Sequence, residues 1–244
     1  MADAPFMYWV GMNTAADVSP EELAKFNDFY SNVHMHEVVQ SNPGFVGATR
    51  YELSEPDPRG DFGPRWLAMY EMENEAAAKG YIARNDGPPE GRPKYTPGPD
   101  AWQHTQSWWR LIWQRYAPKT GELGAHAAPY LYFVAMNVPP DTDEKGLSEF
   151  NDFYTNIHVP EVVAASNFQR GHRYELYREF LHPAPGSPRF LAVYDCAEEG
   201  MKTRAERRAN PGSGPRLSSG PPTWEAHDTL WRLLYRRIDS WVKP

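Results

Sequence analysis

The sequence predicts an α+β fold made of two copies of one β-α-β-β-α-β unit. A motif at residues 26–39 returns almost unchanged at 150–163, and each copy is followed by the tetrapeptide Arg-Tyr-Glu-Leu. The order of strand-like apolar runs and helix-like polar runs is also the same in both halves. An ungapped similarity of this length is hard to obtain by chance, so it indicates a tandem duplication.

The first strand and the first helix of each half are predicted by an apolar run followed by a helix start signal. Residues 8–13 and 130–137 are rich in aromatic and apolar side chains, which is typical of a buried strand. Ser19, Pro20 and Glu22 combine a helix N-cap, a first-turn proline and a capping-box acid. A helix is therefore expected to start there and to continue through the repeated motif.

Each half then continues with two strands, a helix and an aromatic segment. These elements are predicted at residues 45–53 and 168–177, at 65–71 and 189–195, at 73–84 and 197–209, and at 102–116 and 224–238. Their order is that of the ferredoxin-like split motif, in which an antiparallel sheet carries its helices on one face. Since the other face of each sheet also needs a cover, the two sheets are expected to pack together as an intramolecular, pseudo-dimeric α+β barrel.

This division predicts a first ferredoxin-like repeat at residues 1–120, a linker at 121–129 and a second repeat at 130–244. A half of about 120 residues has only a modest core of its own, so the halves are expected to bury surface on each other. The sequence leaves open whether whole chains assemble further into a homo-oligomer.

Charge and composition exclude several kinds of partner. The net charge is −7 and no long basic run occurs, so neither nucleic acid nor a membrane surface is an expected partner. The single cysteine, Cys196, fits a reducing compartment, and no signal-like or membrane-spanning stretch is found, so a cytoplasmic protein is expected. Aromatic residues make up 14% of the chain, which is typical of a filled core or of a pocket for a small aromatic molecule.

The repeated motif carries one candidate site in each half. At roughly 100° per residue, Tyr30, His34 and Glu37 fall on or beside the apolar arc of the first helix. A phenol, an imidazole and a carboxylate on a buried face must be hydrogen-bonded or must adjoin a polar cavity. A neighbouring carboxylate can raise the pKa of a histidine, which suits a general base near neutral pH, and a tyrosine can donate to a developing oxyanion.

A structural interpretation of the same residues competes with the catalytic one. They could form a satisfied polar cluster that ties the helix to the sheet, and from the residues alone this interpretation is the stronger. A metal site at His34 and His36 is not expected, because their side chains face apart on a helix and Pro160 replaces the second histidine in the other copy. Arg50 and Glu52 are expected to form an ion pair along their strand.

The motif resembles the EthD-like branch of the dimeric α+β barrel superfamily. Members of that branch typically carry an aromatic-Tyr-x-x-x-His-x-Pro pattern on the first helix, then Pro-Gly-Phe and Arg-Tyr. The second copy matches this pattern at Tyr154, His158, Pro160, Phe168, Arg173 and Tyr174. The first copy departs from it at His36 and matches it at Tyr30, His34, Pro43, Gly44, Phe45, Arg50 and Tyr51.

The resemblance implies a small, usually cofactor-free protein of catabolic or polyketide pathways. Its relatives are dehydratases, decarboxylases, cyclases, isomerases and monooxygenases, and more distant barrels of this shape bind haem. The family pocket lies between sheet and helices, which would place both Tyr-His pairs at its wall. The first pocket, where the pattern is interrupted, is expected to differ in specificity or to be inactive.

The first functional hypothesis is a cofactor-free lyase or isomerase acting on a hydrophobic, aromatic or polyketide-like carbonyl or phenolic substrate. Histidines would move a proton, tyrosines would stabilise the oxyanion, and glutamates would orient the imidazoles. The expected catalytic residues are His158, Tyr154, Glu161, His34, Tyr30 and Glu37. The expected substrate-binding residues are Asn27, Asn151, Trp66, Trp109, Trp231 and His172. Three alternatives stay open: a cofactor-independent monooxygenase of a phenol, a haem-binding barrel enzyme, and a non-catalytic small-molecule binding protein.

Overall fold

A closed barrel of eight antiparallel strands forms the centre of the protein, whose computed structural model describes residues 4–123 and 127–244. The strands are β1 (Phe6–Asn13), β2 (Phe45–Glu55), β3 (Trp66–Met72), β4 (Gln106–Arg115), β5 (Thr120–Gly121), β6 (Tyr130–Asn137), β7 (Arg170–Leu181), β8 (Phe190–Cys196) and β9 (Asp228–Val242). Their order around the barrel is β4-β1-β3-β2-β9-β6-β8-β7, and β7 pairs back onto β4. The short strand β5 lies outside this ring, beside β7.

The barrel closes through strand pairs that join the first half of the chain to the second. β2 pairs with β9, from Gly47 opposite Val242 to Glu55 opposite Leu234, and β4 pairs with β7. Because a closed barrel has no free edge, each strand of the ring has a partner on both sides. The expected α+β barrel is therefore confirmed, whereas the duplication and the boundaries between repeats stay predictions.

Alternate residues of each strand point inwards and fill the barrel with large apolar side chains. Trp9, Trp113 and Phe133 are fully buried in this interior. The ring centroids of Trp9 and Phe133 lie 4.8 Å apart. The middle of the barrel is thus a packed core.

The helices cover the outer faces of the strands. They are α1 (Pro20–Phe29), α2 (Met35–Ser41), α3 (Glu75–Asp86), α4 (Asp100–Gln103), α5 (Glu144–Phe153), α6 (Val159–Ser166), α7 (Glu198–Ala209) and α8 (Pro222–Glu225), with a 3₁₀ turn at Pro89–Gly91. The first helix starts where the sequence predicts, because the Ser19 hydroxyl accepts a hydrogen bond from the Glu22 amide at 3.2 Å. In the part of the chain that is described, no helix has the length and apolar character needed to cross a membrane.

A π-helical turn interrupts the repeated motif in each half, where one continuous helix was expected. Tyr30–His34 separates α1 from α2, and Tyr154–His158 separates α5 from α6. A π-turn holds more residues than an α-turn, so the side chains after it are rotated away from a regular helical pattern. As a result Met35, Val38 and Val39 are the buried residues of α2.

A buried arginine on β2 holds the first helix to the barrel. Nη1 of Arg50 donates to the Asn27 carbonyl at 3.0 Å and to the Ser31 hydroxyl at 2.9 Å. Nη2 donates to the side-chain oxygen of Asn27 at 2.9 Å. The guanidinium also lies 4.3 Å from the centre of the Tyr30 ring. Three acceptors on the helix are therefore joined to one rigid, charged donor on the sheet.

The second half repeats this arrangement with Arg173. Nη1 donates to the Asn151 carbonyl at 3.2 Å and to the Thr155 hydroxyl at 2.7 Å, and Nη2 donates to the Asn151 side chain at 2.9 Å. The guanidinium lies 4.1 Å from the centre of the Tyr154 ring. The repeated Asn, Tyr and Arg thus share one structural role in both halves.

The ion pair expected between Arg50 and Glu52 is wrong, because Arg50 turns towards the helix. The Glu52 carboxylate accepts hydrogen bonds from Arg65 at 3.2 Å and from Arg236 at 2.9 Å instead. Both of these arginines are exposed, so the pairs contribute little to stability.

We expect Arg173→Ala to destabilise the protein by about 2–4 kcal/mol, because three acceptors lose a charged donor and a buried space is left empty. Arg236→Ala removes an exposed arginine and should cost less than about 1 kcal/mol. Urea unfolding of both variants measures the difference. Equal losses of stability in the two variants would show that the buried Arg173 guanidinium does not hold the helix to the barrel.

Candidate functional site

The structure brings Tyr30 and His34 together, but inside an aromatic contact. The His34 ring lies 5.2 Å from the Tyr30 ring, 4.5 Å from Trp102 and 5.1 Å from Tyr95, measured between centroids. Trp102 reaches this position from α4, in a segment that was expected to be strand. The Tyr30 hydroxyl lies 3.3 Å from the Tyr70 hydroxyl and is buried. The phenol is therefore engaged by a second tyrosine.

His158 is enclosed in the same way. Its ring lies 5.7 Å from Tyr154, 6.2 Å from Phe153 and 4.3 Å from Trp224, which stands on α8. Within residues 4–123 and 127–244, the Tyr154 hydroxyl has no hydrogen-bond partner, and neither has Nδ1 of either repeated histidine. Neither histidine lines the two cavities described below.

The two repeated glutamates bind loops. The Glu37 carboxylate accepts hydrogen bonds from the Thr96 amide at 3.1 Å and from the Thr96 hydroxyl. The Glu161 carboxylate accepts hydrogen bonds from the Ser218 amide at 2.9 Å and from the Ser218 hydroxyl. Both partners lie in the long loops that precede the last strand of each half, so these carboxylates fasten the loops to the helices.

Burial makes both repeated imidazoles weaker bases than a free histidine. Desolvation lowers the pKa of His34 and of His158 to about 4, and the carboxylates of Glu37 and Glu161 oppose this only in part. Burial also raises the pKa of the Tyr30 phenol. At neutral pH both histidines are therefore uncharged, and neither has the pKa near 7 that was expected of a general base.

The other predicted substrate-binding residues do not gather at one place. Asn27 and Asn151 accept the arginine hydrogen bonds described above. Trp66 is buried between α1 and the sheet. His172 lies inside one end of the barrel, with Nε2 3.4 Å from the buried Asp195 carboxylate.

Trp109 and Trp231 meet at the opposite end of the barrel, where His182 lies beside both. The two indole rings stack with centroids 4.6 Å apart and planes at 21°. The imidazole of His182, which follows β7 directly, lies 5.8 Å from Trp109 and 5.9 Å from Trp231 and nearly parallel to them. His182 was not among the predicted site residues.

A cavity of about 510 Å³ opens beside this stack, at the mouth of the barrel. Its walls are largely apolar, while Arg59, Asp61 and Asp228 supply charges. This barrel-mouth cavity is lined above all by Phe62, Trp108, His182, Leu230, Trp231 and the loop at 183–186. Apolar walls with few polar groups and a volume of this order are typical of small-molecule sites.

The two ring nitrogens of His182 are in different states. Nδ1 lies 2.8 Å from the Pro183 carbonyl oxygen, which can only accept, so Nδ1 carries the proton. Nε2 is buried and has no hydrogen-bond partner among the residues described. Desolvation lowers the pKa of this imidazole, so the ring is neutral at pH 7. Nε2 therefore has the chemistry to accept a hydrogen bond, to accept a proton or to coordinate a metal.

Two kinds of residue were missed for different reasons. No sequence signal marks His182, because it lies at the start of a Pro- and Gly-rich loop and has no counterpart in the first half. Trp102 and Trp224 occupy matching places before the last strands, and that repetition was a usable signal for residues that cover the two histidines.

Comparison with solved structures shows the fold alone. A mutant chlorite dismutase from Candidatus Nitrospira defluvii in complex with cyanide is similar over 97% of this chain and 92% of that chain, with a TM-score of 0.51 and 10% identity. A second mutant of that dismutase gives a TM-score of 0.50 over the same shares, also at 10% identity. The dye-decolorizing protein from V. cholerae gives 0.45 at 12% identity over 95% of this chain and 93% of that chain, a similarity too low to argue from. No family model and no curated protein matches the chain.

These findings correct two expectations. The assignment to the EthD-like branch is wrong, because the similar structures are chlorite dismutases. The expectation of a cofactor-free lyase or isomerase is also wrong, because the chlorite dismutases that share the fold are haem-dependent enzymes. Among the hypotheses stated above, the haem-binding barrel is the one that agrees with these neighbours.

The lowered pKa values of His34 and His158 predict a loss of stability in acid. Between pH 6.5 and 4 an unfolded histidine takes up a proton while the buried one stays neutral, so the free energy of unfolding should fall as the pH drops through this range. We expect a loss of about 1–2 kcal/mol for each imidazole. His158→Phe should remove the part of this acid-induced loss that is due to His158. The melting temperature of this variant should therefore change less between pH 7 and pH 4.5 than that of the unaltered protein.

His104→Phe is the matched control for this prediction, because that imidazole is exposed. A change in pH dependence as large as that of His158→Phe would show that burial of the repeated histidine is not the cause.

Proposed function

We propose that the barrel-mouth cavity is the functional site and that it binds a flat aromatic molecule whose polar group contacts His182. The observation that carries this proposal is that His182 lines a cavity of about 510 Å³ while its buried Nε2 atom lacks a hydrogen-bond partner in the described chain. A buried nitrogen without a hydrogen-bond partner destabilises the protein. A ligand group that donates a hydrogen bond to this nitrogen would offset that loss. The indoles of Trp108 and Trp231 offer flat apolar surfaces for a ring.

The charges around the cavity favour a neutral ligand. Arg59 at its edge already donates to the Asp57 carboxylate from Nε at 2.9 Å and from Nη2 at 2.6 Å. Asp61 and Asp228 add negative charge at the same edge and would repel an organic acid. Because Nδ1 of His182 is the donor to Pro183, Nε2 can only accept, so the matching group is a phenolic O–H or another neutral donor.

Haem is a second candidate, and one observation favours it at the same place. A histidine that donates its Nδ1 proton to a carbonyl and keeps Nε2 free has the donor set of a metal-ligating imidazole. The fold is also that of chlorite dismutases, which are haem-dependent. Haem supplies redox chemistry when bound, and His182 would hold its iron while Phe62 and Trp108 cover the ring.

The two Tyr-His pairs match the surroundings of a metal-ligating imidazole less well than His182 does. Trp102 lies 4.5 Å from the His34 ring and Trp224 lies 4.3 Å from the His158 ring, so each imidazole is already covered by an indole. The Pro183 carbonyl fixes the Nδ1 proton of His182, whereas Nδ1 of His34 and of His158 has no hydrogen-bond partner among the described residues.

The solved structures of the same fold are enzymes, and this supports a substrate rather than a stored ligand in the barrel-mouth cavity. With a phenol in place, Nε2 of His182 would hold or accept the phenolic proton, and the Pro183 carbonyl would keep the proton on Nδ1.

Binding of 2-naphthol and of its methyl ether, 2-methoxynaphthalene, tests the proposal because the two differ in one hydrogen-bond donor. We expect 2-naphthol to quench tryptophan fluorescence and to bind about five- to tenfold more tightly than the ether. His182→Ala should abolish this difference, whereas His104→Ala, at an exposed histidine, should preserve it. Equal affinities in the unaltered protein would contradict the role given to Nε2.

Titration with haemin tests the second candidate, haem binding through His182. A Soret band that shifts on binding and is lost in His182→Ala would identify a haem site at the barrel mouth. A shifted band that survives His182→Ala would place the haem elsewhere.

A further inference from the structure

The outer faces of the two barrel halves carry the same tyrosine and arginine in different surroundings. By strand register, Tyr8 and Arg110 correspond to Tyr132 and Arg232. In the first half, Arg110 donates to the Tyr8 hydroxyl at 2.9 Å and to the Asn85 side chain at 2.6 Å. The charge on this arginine is thus spread over neutral acceptors within the fold.

Phe180 then seals the first-half surface. Its ring lies 5.5 Å from the Arg110 guanidinium, 6.3 Å from the Tyr8 ring and 6.1 Å from the Tyr81 ring. Because the layer between strands and helix is filled by these side chains, no ligand is needed there to complete the packing.

The corresponding place in the second half is an open cavity of about 340 Å³. The positions in α7 that match Tyr81 and Asn85 of α3 are Arg204 and Arg208. A tyrosine and an asparagine are therefore replaced by two cations. This basic cavity is lined above all by Tyr132, Val162, Phe168, Arg204, Arg208 and Arg232.

Cations outnumber carboxylates around the basic cavity. The single carboxylate of Glu55 accepts hydrogen bonds from both Arg204 and Arg208. Arg207, which also lines the cavity, donates to the Ser166 hydroxyl at 3.2 Å, a neutral group. The guanidinium groups of Arg204 and Arg208 thus share one negative charge. In these contacts Arg207 has no carboxylate partner.

Arg232 adds a further positive charge. Its side chain is exposed, and its guanidinium has no hydrogen-bond or ion-pair partner among the contacts of the described residues. Its backbone amide donates to Asp57 at 2.8 Å, but that carboxylate is already paired with Arg59. An arginine fork is well matched to the two oxygens of a carboxylate.

We propose that the basic cavity binds a small aromatic carboxylate. The carboxylate would lie on the guanidinium groups of Arg232 and Arg204, and the ring would lie against Tyr132 and Phe168. Arg204 already lies over the Tyr132 ring, 4.9 Å from its centre, so the charged and the aromatic surfaces are continuous. The site is separate from the barrel-mouth cavity, since the two share no lining residue, and it does not rest on the function proposed for that cavity.

Isothermal titration at low ionic strength with sodium benzoate and with benzamide, its neutral counterpart, tests the proposal. We expect benzoate to bind about tenfold more tightly than benzamide, because charge-assisted hydrogen bonds distinguish the two. Arg232→Gln should weaken benzoate binding about tenfold and leave the affinity for benzamide unchanged. The side chain is exposed, so the variant is expected to fold, which its melting temperature checks.

Arg216→Gln is the matched control, because it removes an exposed arginine that does not line the cavity. Benzoate affinity should stay the same in this variant. Equal binding of benzoate and benzamide, or equal losses in the two variants, would overturn the proposal. Inorganic phosphate that binds as tightly as benzoate would overturn it too, since the ring would then contribute nothing.

Discussion

Closure of the barrel across the two halves of the chain is the constraint on which the rest of the structure depends. β2 pairs with β9 and β4 with β7, so each half has two strands with one unpaired edge until the other half is present. The closed interior is filled by side chains such as Trp9 and Phe133. The filled interior has no room for a ligand, and the two sites proposed above lie at the mouth of the barrel and in the layer between strands and helices.

The two halves share this architecture and differ in what fills the outer layer. Where the first half closes its surface with Phe180 over Arg110, the second half leaves several arginines around an open space. The barrel mouth is asymmetric as well, since His182 comes from the second half and stacks beside a tryptophan from each half. Both candidate sites therefore combine residues that the halves share, such as Trp231 and Arg232, with residues found in the second half alone, such as His182 and Arg204.

The repeated polar residues have a structural explanation. Arg50 and Arg173 bind Asn27 and Asn151, and their guanidinium groups lie over the neighbouring tyrosine rings. Buried polar groups are generally hydrogen-bonded, so a structural clamp is by itself a sufficient reason for the same arginine and asparagine to occur in both copies. The structural interpretation of the Tyr, His and Glu residues stays a prediction, because the clamp is made by arginine and asparagine, and the Tyr154 hydroxyl and Nδ1 of both histidines have no hydrogen-bond partner among the described residues.

Much of the fold followed from sequence, because strand and helix periodicity and a helix start signal at Ser19 are local properties of the chain. The closed barrel followed too, since each sheet had a second face to cover. The π-turn at Tyr30–His34 did not, because its rotation of the helix depends on packing against the sheet.

Trp109 and Trp231 were expected from sequence as substrate-binding residues, but which side chains meet at the barrel mouth was decided by tertiary structure. The stack of His182 with Trp109 and Trp231 joins residues far apart in the chain, and no periodic pattern links them. The repetition of Trp102 and Trp224 marks them as a pair, but only the folded chain shows that their indoles lie against His34 and His158, whose pKa values burial lowers. The sequence by itself determined which elements form and which faces are apolar; only the folded chain decided which polar atoms are left without a partner, since that depends on contacts between distant segments.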